Sequence, residues 1–138
     1  MPIVHHADLE KRRIVAKATG TIGQRELFAY QRELGQRPEW AGFDELFDVS
    51  GVDGLADVQT DDLKALAGFA ASMDRPDQPS KFALVAPQDL YFGLGRLYEA
   101  LRETAPQANR QVAAFRACAE AERWLDAPVG EPVEADFT

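Results

Sequence analysis

The feature that most constrains the fold is a short apolar stretch, KFALVA, at residues 81–86. Successive side chains of a β-strand point to opposite faces of the sheet, and this stretch is apolar on both faces. Such a pattern is typical of an interior strand of a parallel sheet, which is covered on both sides. The stretch therefore predicts a central strand with helices packed against the sheet.

Strand-like and helix-like segments alternate along the rest of the chain. Residues 2–7 and 13–20 are predicted to form an antiparallel hairpin that stops at Gly20. Further strands are predicted at 43–49, 81–86 and 111–115, and helices at 21–35, 60–75, 87–105 and 118–125. Strands joined through helices must pair in parallel. The predicted fold class is therefore α/β, with a mixed, mostly parallel five-stranded sheet and four helices in the order ββαβαβαβα.

The helix starts carry recognisable cap patterns. Thr21 with Gln24 matches a capping box, and Thr60 followed by Asp61 and Asp62 predicts a second cap with favourable charge in the first turn. On the 87–105 helix the periodicity predicts five inward residues, which are Leu90, Leu94, Leu97, Tyr98 and Leu101.

Length and composition indicate one globular domain over residues 1–126, followed by a flexible acidic tail at 127–138. The formal charge of −8 opposes binding to nucleic acids and to anionic lipid surfaces. The chain has no apolar run of membrane-spanning or signal-peptide length. Its single cysteine, Cys118, excludes an internal disulfide and suits a reducing compartment, so we expect a cytoplasmic protein.

No residue pattern in the sequence predicts catalysis, a cofactor or a metal site. His5 and His6 are adjacent on a predicted strand, so their side chains point to opposite faces. Cys118 lies in an alanine-rich helix, which predicts a packed, unreactive thiol. The aspartates of residues 48–62 do not follow the calcium-loop spacing, although a loop that gathers several of them around one cation stays open.

Three stretches together resemble a known family. They are LFDVSGVDGL at 46–55, SKFALVAPQDLYFGLGRLYEAL at 80–101 and VAAFRACAEAERWL at 112–125. In order and spacing they resemble the STAS domain, which is the fold of anti-sigma factor antagonists. They also resemble a group of small bacterial proteins that are similar to the sporulation anti-anti-sigma factor. That group is classified together with both STAS and CRAL-TRIO domains. The resemblance implies regulation by binding to a protein partner, or carriage of an apolar ligand.

The resemblance also implies a phosphorylation switch, whose acceptor this chain lacks. Asp48, Ser50, Gly51 and Val52 match the family's pattern, which places the phosphoacceptor serine near Val58, where no serine occurs. Thr60 is the alternative acceptor. However, Asp57, Asp61 and Asp62 lie beside it and would repel a group of about −1.5 to −2 charges.

Two functional hypotheses follow. The first is a non-enzymatic interaction module that binds a basic protein through an acidic turn, with Asp53, Asp57, Thr60, Asp61 and Asp62 as its candidate residues. The second is a carrier or sensor of an apolar, lipid-like ligand between the 88–105 helix and the sheet, with Tyr91, Phe92, Gly93, Gly95 and Tyr98 as its groove. Close packing of the helix on the sheet is the alternative explanation of Gly93 and Gly95.

Trp40 lies in a predicted loop, where it is either an anchor for a partner or a cover for the edge of the core. The sequence leaves the oligomeric state open.

We predict that the protein carries no phosphate in its native host. The acceptor serine is absent, and acidic neighbours disfavour Thr60. Intact-mass measurement of the endogenous protein under several growth conditions should show no phosphoryl increment. A phosphorylated species that maps to Thr60 would contradict the prediction.

Overall fold

The fold is described from a computed structural model, which defines residues 2–56, 58–74, 78–104 and 109–128. The strands are β1 (Ile3–Asp8), β2 (Arg13–Gly23), β3 (Asp44–Ala56), β4 (Ser80–Val85) and β5 (Arg110–Phe115). The helices are α1 (Gln24–Gly35), α2 (Thr60–Ser72), α3 (Asp89–Thr104) and α4 (Cys118–Asp126), with a 3₁₀ turn at Pro38–Trp40. The predicted tail at 127–138 lies outside the described residues from residue 129 onward.

The five strands form one sheet in the order β1-β2-β3-β4-β5. The β1–β2 pair is antiparallel and the other three pairs are parallel, which confirms the predicted fold class. The KFALVA stretch supplies β4, which lies between β3 and β5 and is buried on both faces at Phe82 and Ala83.

The helices are divided unequally between the two faces of the sheet. From β2 to β5 each crossover leads to the next strand in the same direction, so right-handed connections place α1, α2 and α3 on one face. Their core includes Tyr30, Phe47, Leu66, Phe82 and Tyr98. The opposite face is covered by α4, whose core includes Leu46, Val85, Phe115, Trp124 and Leu125.

Two strands run further than the sequence predicted. β2 continues past Gly20 and β3 past Val49, because the two strands keep pairing with each other as far as Gly23 and Ala56. Gly20 has a positive φ of 72° beside a register shift, so it permits an irregular strand position instead of ending the strand. The first part of the predicted acidic turn, as far as Ala56, therefore belongs to strand β3.

Both predicted threonine caps are wrong. Thr21 lies within β2, and Thr60 is the first residue of α2 rather than its cap. Carboxylates three residues into each helix take over the capping. Glu26 accepts a hydrogen bond from the Gly23 amide at 3.0 Å, and Asp62 accepts one from the Gln59 amide at 2.8 Å.

A buried lysine fastens α4 to the sheet. Lys81 is fully buried in β4, and its Nζ donates to the carbonyls of Trp124 and Ala127 at 2.7 Å each. The ammonium also lies 5.0 Å from the centre of the Trp124 ring. Its charge therefore meets the carbonyl end of the helix, where the helix dipole favours a cation.

The inward side of α3 differs from the prediction. Leu90 is 68 % exposed because the first helical turn extends past the sheet, so its predicted burial is wrong. The buried residues of the helix are Gly95, Tyr98 and Arg102. At Gly95 a Cβ would overlap a Leu84 methyl and come within 3.2 Å of Ala114, so this glycine permits close packing of α3 on the sheet.

We predict opposite effects of alanine at the two glycines of α3. Gly95→Ala should destabilise the fold by about 1–2 kcal/mol through overpacking. Gly93→Ala, whose Cβ would face open space, should stabilise it by up to about 1 kcal/mol through helix propensity. Chemical denaturation of both variants checks this, and an equal change in the two unfolding free energies would contradict it.

Candidate functional site

The predicted acidic residues lie at the edge of the sheet where the parallel strands end, here called the carboxyl edge. Asp53 is exposed near the end of β3, and Thr60 and Asp61 are exposed at the start of α2. Asp62 is half-buried because it caps the helix, and Asp57 lies outside the described residues. The fold thus brings together the end of β3 and the start of α2, where the helix dipole stabilises negative charge.

An apolar cavity of about 110 Å³ lies beside these acidic residues, and we call it the carboxyl-edge cavity. Its wall near β3 and α2 is formed by Val52, Leu55, Val58 and Leu63. Along the chain, the apolar residues that line the cavity are interspersed with acidic residues that do not line it. Asp53 and Asp62 are two of these acidic residues.

Three of the five predicted groove residues contribute to this cavity. Tyr91, Gly95 and Tyr98 line it, opposite Leu27 of α1. Phe92 and Gly93 do not line it, because the helix turns them away. Phe92 packs under the Arg116 guanidinium, 4.4 Å from the ring centre, and Gly93 is exposed.

A glutamine that the sequence analysis missed holds the exposed side of β3. The pairing of β3 with β4 ends at Asp48 and Val85, which leaves the next carbonyls without a strand partner on that side. The Gln88 side-chain amide donates to the carbonyls of Val49, Ser50 and Val52 at 3.3, 3.1 and 3.4 Å. Gln88 follows a proline before a helix, a common pattern at helix starts, so no sequence signal distinguished it.

A second cavity, of about 430 Å³, lies at the opposite edge, where the strands β3, β4 and β5 begin. We call it the amino-edge cavity. The ends of α1 and α2 and the second half of α3 also contribute to it. Its aromatic lining residues are Trp40, Phe43, Phe82 and Tyr98, and its charged ones are Arg37, Glu45, Asp74, Arg102 and Arg110.

Glu45 organises the first of two buried ionic groups at this edge. It accepts a hydrogen bond from the Tyr30 hydroxyl at 2.7 Å and one from the Arg110 guanidinium at 2.8 Å. Arg110 also donates to the Phe43 carbonyl at 2.9 Å and to the Ser80 hydroxyl. Burial, together with the Glu45 charge, raises the pKa of Tyr30 well above its ordinary value.

Arg102 and Asp74 form the second ionic group. Two guanidinium nitrogens donate to the two carboxylate oxygens at 2.9 and 3.1 Å, and both side chains are at least 95 % buried. The Asn109 amide donates a third hydrogen bond to Asp74 at 2.8 Å. The sequence signal that could have revealed this group is an arginine at an inward position, four residues after Tyr98.

Trp40 and the histidines take ordinary positions at this edge. Trp40 is half-buried, and the rings of His5 and Tyr30 meet edge to face, as do those of His5 and Trp40. His6 is exposed on the other face of β1, as the strand alternation predicts. Among the described residues no group of three histidine, cysteine or acidic side chains is arranged to hold a metal ion.

The predicted burial of Cys118 is wrong. The thiol is exposed because Cys118 is the first residue of α4, at the sheet edge. Residual burial raises its pKa, and the charge and hydrogen-bond acceptance of Glu122, whose Oε1 lies 3.7 Å from Sγ, raise it further. The thiolate is the nucleophilic form, so this environment lowers the reactivity of an accessible thiol near neutral pH.

Comparison with known proteins supports the fold. No protein-family model matches the chain, and no curated protein matches it. One similar solved structure is an uncharacterized protein from the DUF3478 family, with a SpoIIAA-like fold, from Shewanella loihica PV-4. It shares 17 % sequence identity at a TM-score of 0.56, over 89 % of this chain and 93 % of that one. The present chain therefore has a SpoIIAA-like α/β fold, which confirms the resemblance at the level of structure. None of the described helices has the length and apolar character needed to cross a membrane.

We predict that Cys118 reacts slowly with iodoacetamide despite its exposure. Because its pKa is raised, the thiolate fraction at about pH 8 is small. Glu122→Gln removes a charge that raises the pKa and should speed alkylation at about pH 8. Glu120→Gln on the same helix is the matched control. Equal rates for both variants would contradict the prediction.

Proposed function

We propose that this protein is a non-enzymatic interaction module that binds a basic protein partner at the carboxyl edge. The observation that carries the proposal is the placement of exposed Asp53, Thr60 and Asp61 around an apolar cavity. Lysine or arginine side chains of the partner would pair with the aspartates, and an apolar side chain would enter the cavity. In this proposal the protein acts in the cytoplasm.

The size of the carboxyl-edge cavity favours a protein side chain over a carried ligand. Its volume of about 110 Å³ is well below the roughly 300 Å³ of a site for a drug-sized molecule. Leu55, Val58 and Tyr91 are only partly buried, so the cavity is open to a side chain from outside. The alternative function, carriage of a lipid-like ligand, has less support from this geometry.

The topology of the sheet also favours a surface site over a ligand crevice at this edge. In doubly wound α/β folds, ligands bind in a crevice where the strand order reverses. Here the order from β2 to β5 advances in one direction, and α1 to α3 share one face. This part of the sheet has no reversal, so the site we propose is a surface at the carboxyl edge.

A pair of charge-reversal variants tests the proposal. Asp53→Lys with Asp61→Lys should abolish capture of the specific partner from a lysate of the native host, because both residues are exposed on the proposed surface. Asp62 is left intact because it caps α2. Glu10→Lys with Glu103→Lys makes the same change of charge at exposed positions elsewhere.

The measurement is quantitative mass spectrometry of proteins captured by the wild type and by both variants. The partner should be lost with the carboxyl-edge variant and retained by the control. Binding should also weaken between about 0.1 M and 1 M salt, as the Debye length falls from about 10 to about 3 Å. Capture that is equally sensitive to both variants, or insensitive to both, would refute the proposal.

A further inference from the structure

The amino-edge cavity has the properties of a small-molecule site, independently of the partner surface at the other edge. Its volume of about 430 Å³ lies within the roughly 300–1,000 Å³ typical of ligand pockets. Trp40, Phe43 and Phe82 give it aromatic walls, and buried charged side chains converge on it. The lining as a whole is at least as polar as it is apolar, so a matching ligand has both a polar and an apolar part.

One polar group in this cavity has no acceptor among the residues that the structure describes. Tyr98 is 8 % exposed, and its hydroxyl makes no hydrogen bond to any of the described residues. Burial raises its pKa to about 12, so the phenol is protonated at neutral pH and can donate. Tyr98 lines this cavity together with Arg102, Glu45, Arg110 and Asp74, so the phenol shares the cavity with these charged groups. The hydroxyl is open to the cavity and not sealed in the core, so it can donate to an acceptor atom of a ligand that enters.

The remaining polar groups favour an anionic acceptor. Glu45 already accepts two hydrogen bonds and Asp74 three. The bonds to Asp74 use only two of the five N–H groups of Arg102, which lies one helical turn beyond Tyr98. Arg37 stands at the rim over the Trp40 ring, 4.8 Å from its centre, and its nearest carboxylate contact, to Glu39, is 4.0 Å long. Among the described lining residues, three arginines therefore stand against two carboxylates.

We propose that the amino-edge cavity binds a small aromatic carboxylate. The carboxylate accepts the Tyr98 hydrogen bond beside Arg102, and the ring lies against Phe43, Phe82 and Trp40. Arg37 attracts the anion at the rim.

Three probes of nearly equal shape and different charge test the proposal: benzoate, benzamide and benzamidine. Titration of the ¹⁵N-labelled full chain should show benzoate binding tightest, with shifts of the Ser80, Arg102 and Arg110 amides. Tyr98→Phe should weaken benzoate by about tenfold, as expected for a hydrogen bond to a charged group. Tyr91→Phe is the matched control, because Tyr91 is on the same helix but lines the other cavity, and it should leave the affinity unchanged.

Arg37→Gln provides a second variant that leaves the core intact, since Arg37 is exposed. It should weaken benzoate by about threefold and leave benzamide unchanged. Benzamidine that binds as well as benzoate would overturn the proposal. So would equal effects of Tyr98→Phe and Tyr91→Phe, or no shift of the cavity amides with any probe, which would indicate a cavity that holds only water.

Discussion

The structure depends on a single topological constraint, which is that every crossover from β2 to β5 advances in the same direction along the sheet. All three crossover helices consequently lie on one face, antiparallel to their strands. Their N-termini meet at one edge and their C-termini at the other, so the two edges have helix dipole ends of opposite sign. The charges follow this polarity. Glu26, Asp61 and Asp89 lie in first turns, and Arg32 and Arg102 lie in last turns.

The net acidity of the protein therefore has a structural component as well as a functional one. Carboxylates at the carboxyl edge cap helices, as Glu26 and Asp62 do. Only the acidic residues that make no such bond, among them Asp53 and Asp61, are available to a partner on the described surface. At the amino edge, guanidinium groups meet both the helix ends and the buried carboxylates. Replacing one member of a buried pair there would leave an uncompensated charge, which costs several kcal/mol in typical proteins.

The sequence predicted the sheet, its strand order along the chain and the burial of β4 because these follow from hydrophobic periodicity. It misplaced the ends of β2 and β3, because the pairing that extends them is a tertiary interaction between residues about thirty positions apart. The caps failed because each threonine pattern is only a local signal. Pairing with β3 keeps Thr21 in a strand, and α2 begins at Thr60 after Gln59, one residue earlier than a Thr60 cap requires. The residues of the predicted acidic cluster lie together at the carboxyl edge, apart from Asp57, which is outside the described residues. The sequence did not predict the amino-edge cavity. Its polar groups come from Glu45, Arg102 and Arg110, and no local pattern links these three residues.

The two cavities share a wall. Gln31, Phe82 and Tyr98 line both of them, so the rings of Phe82 and Tyr98 separate a polar chamber at one end of the domain from an apolar one at the other. In a close-packed interior a ring that tilts toward one chamber withdraws from the other. A molecule that displaced these rings from one side would change the shape of the chamber on the other side. Thermodynamic reciprocity requires that any coupling through this wall be symmetric, so that each occupant would change the affinity of the other by the same factor.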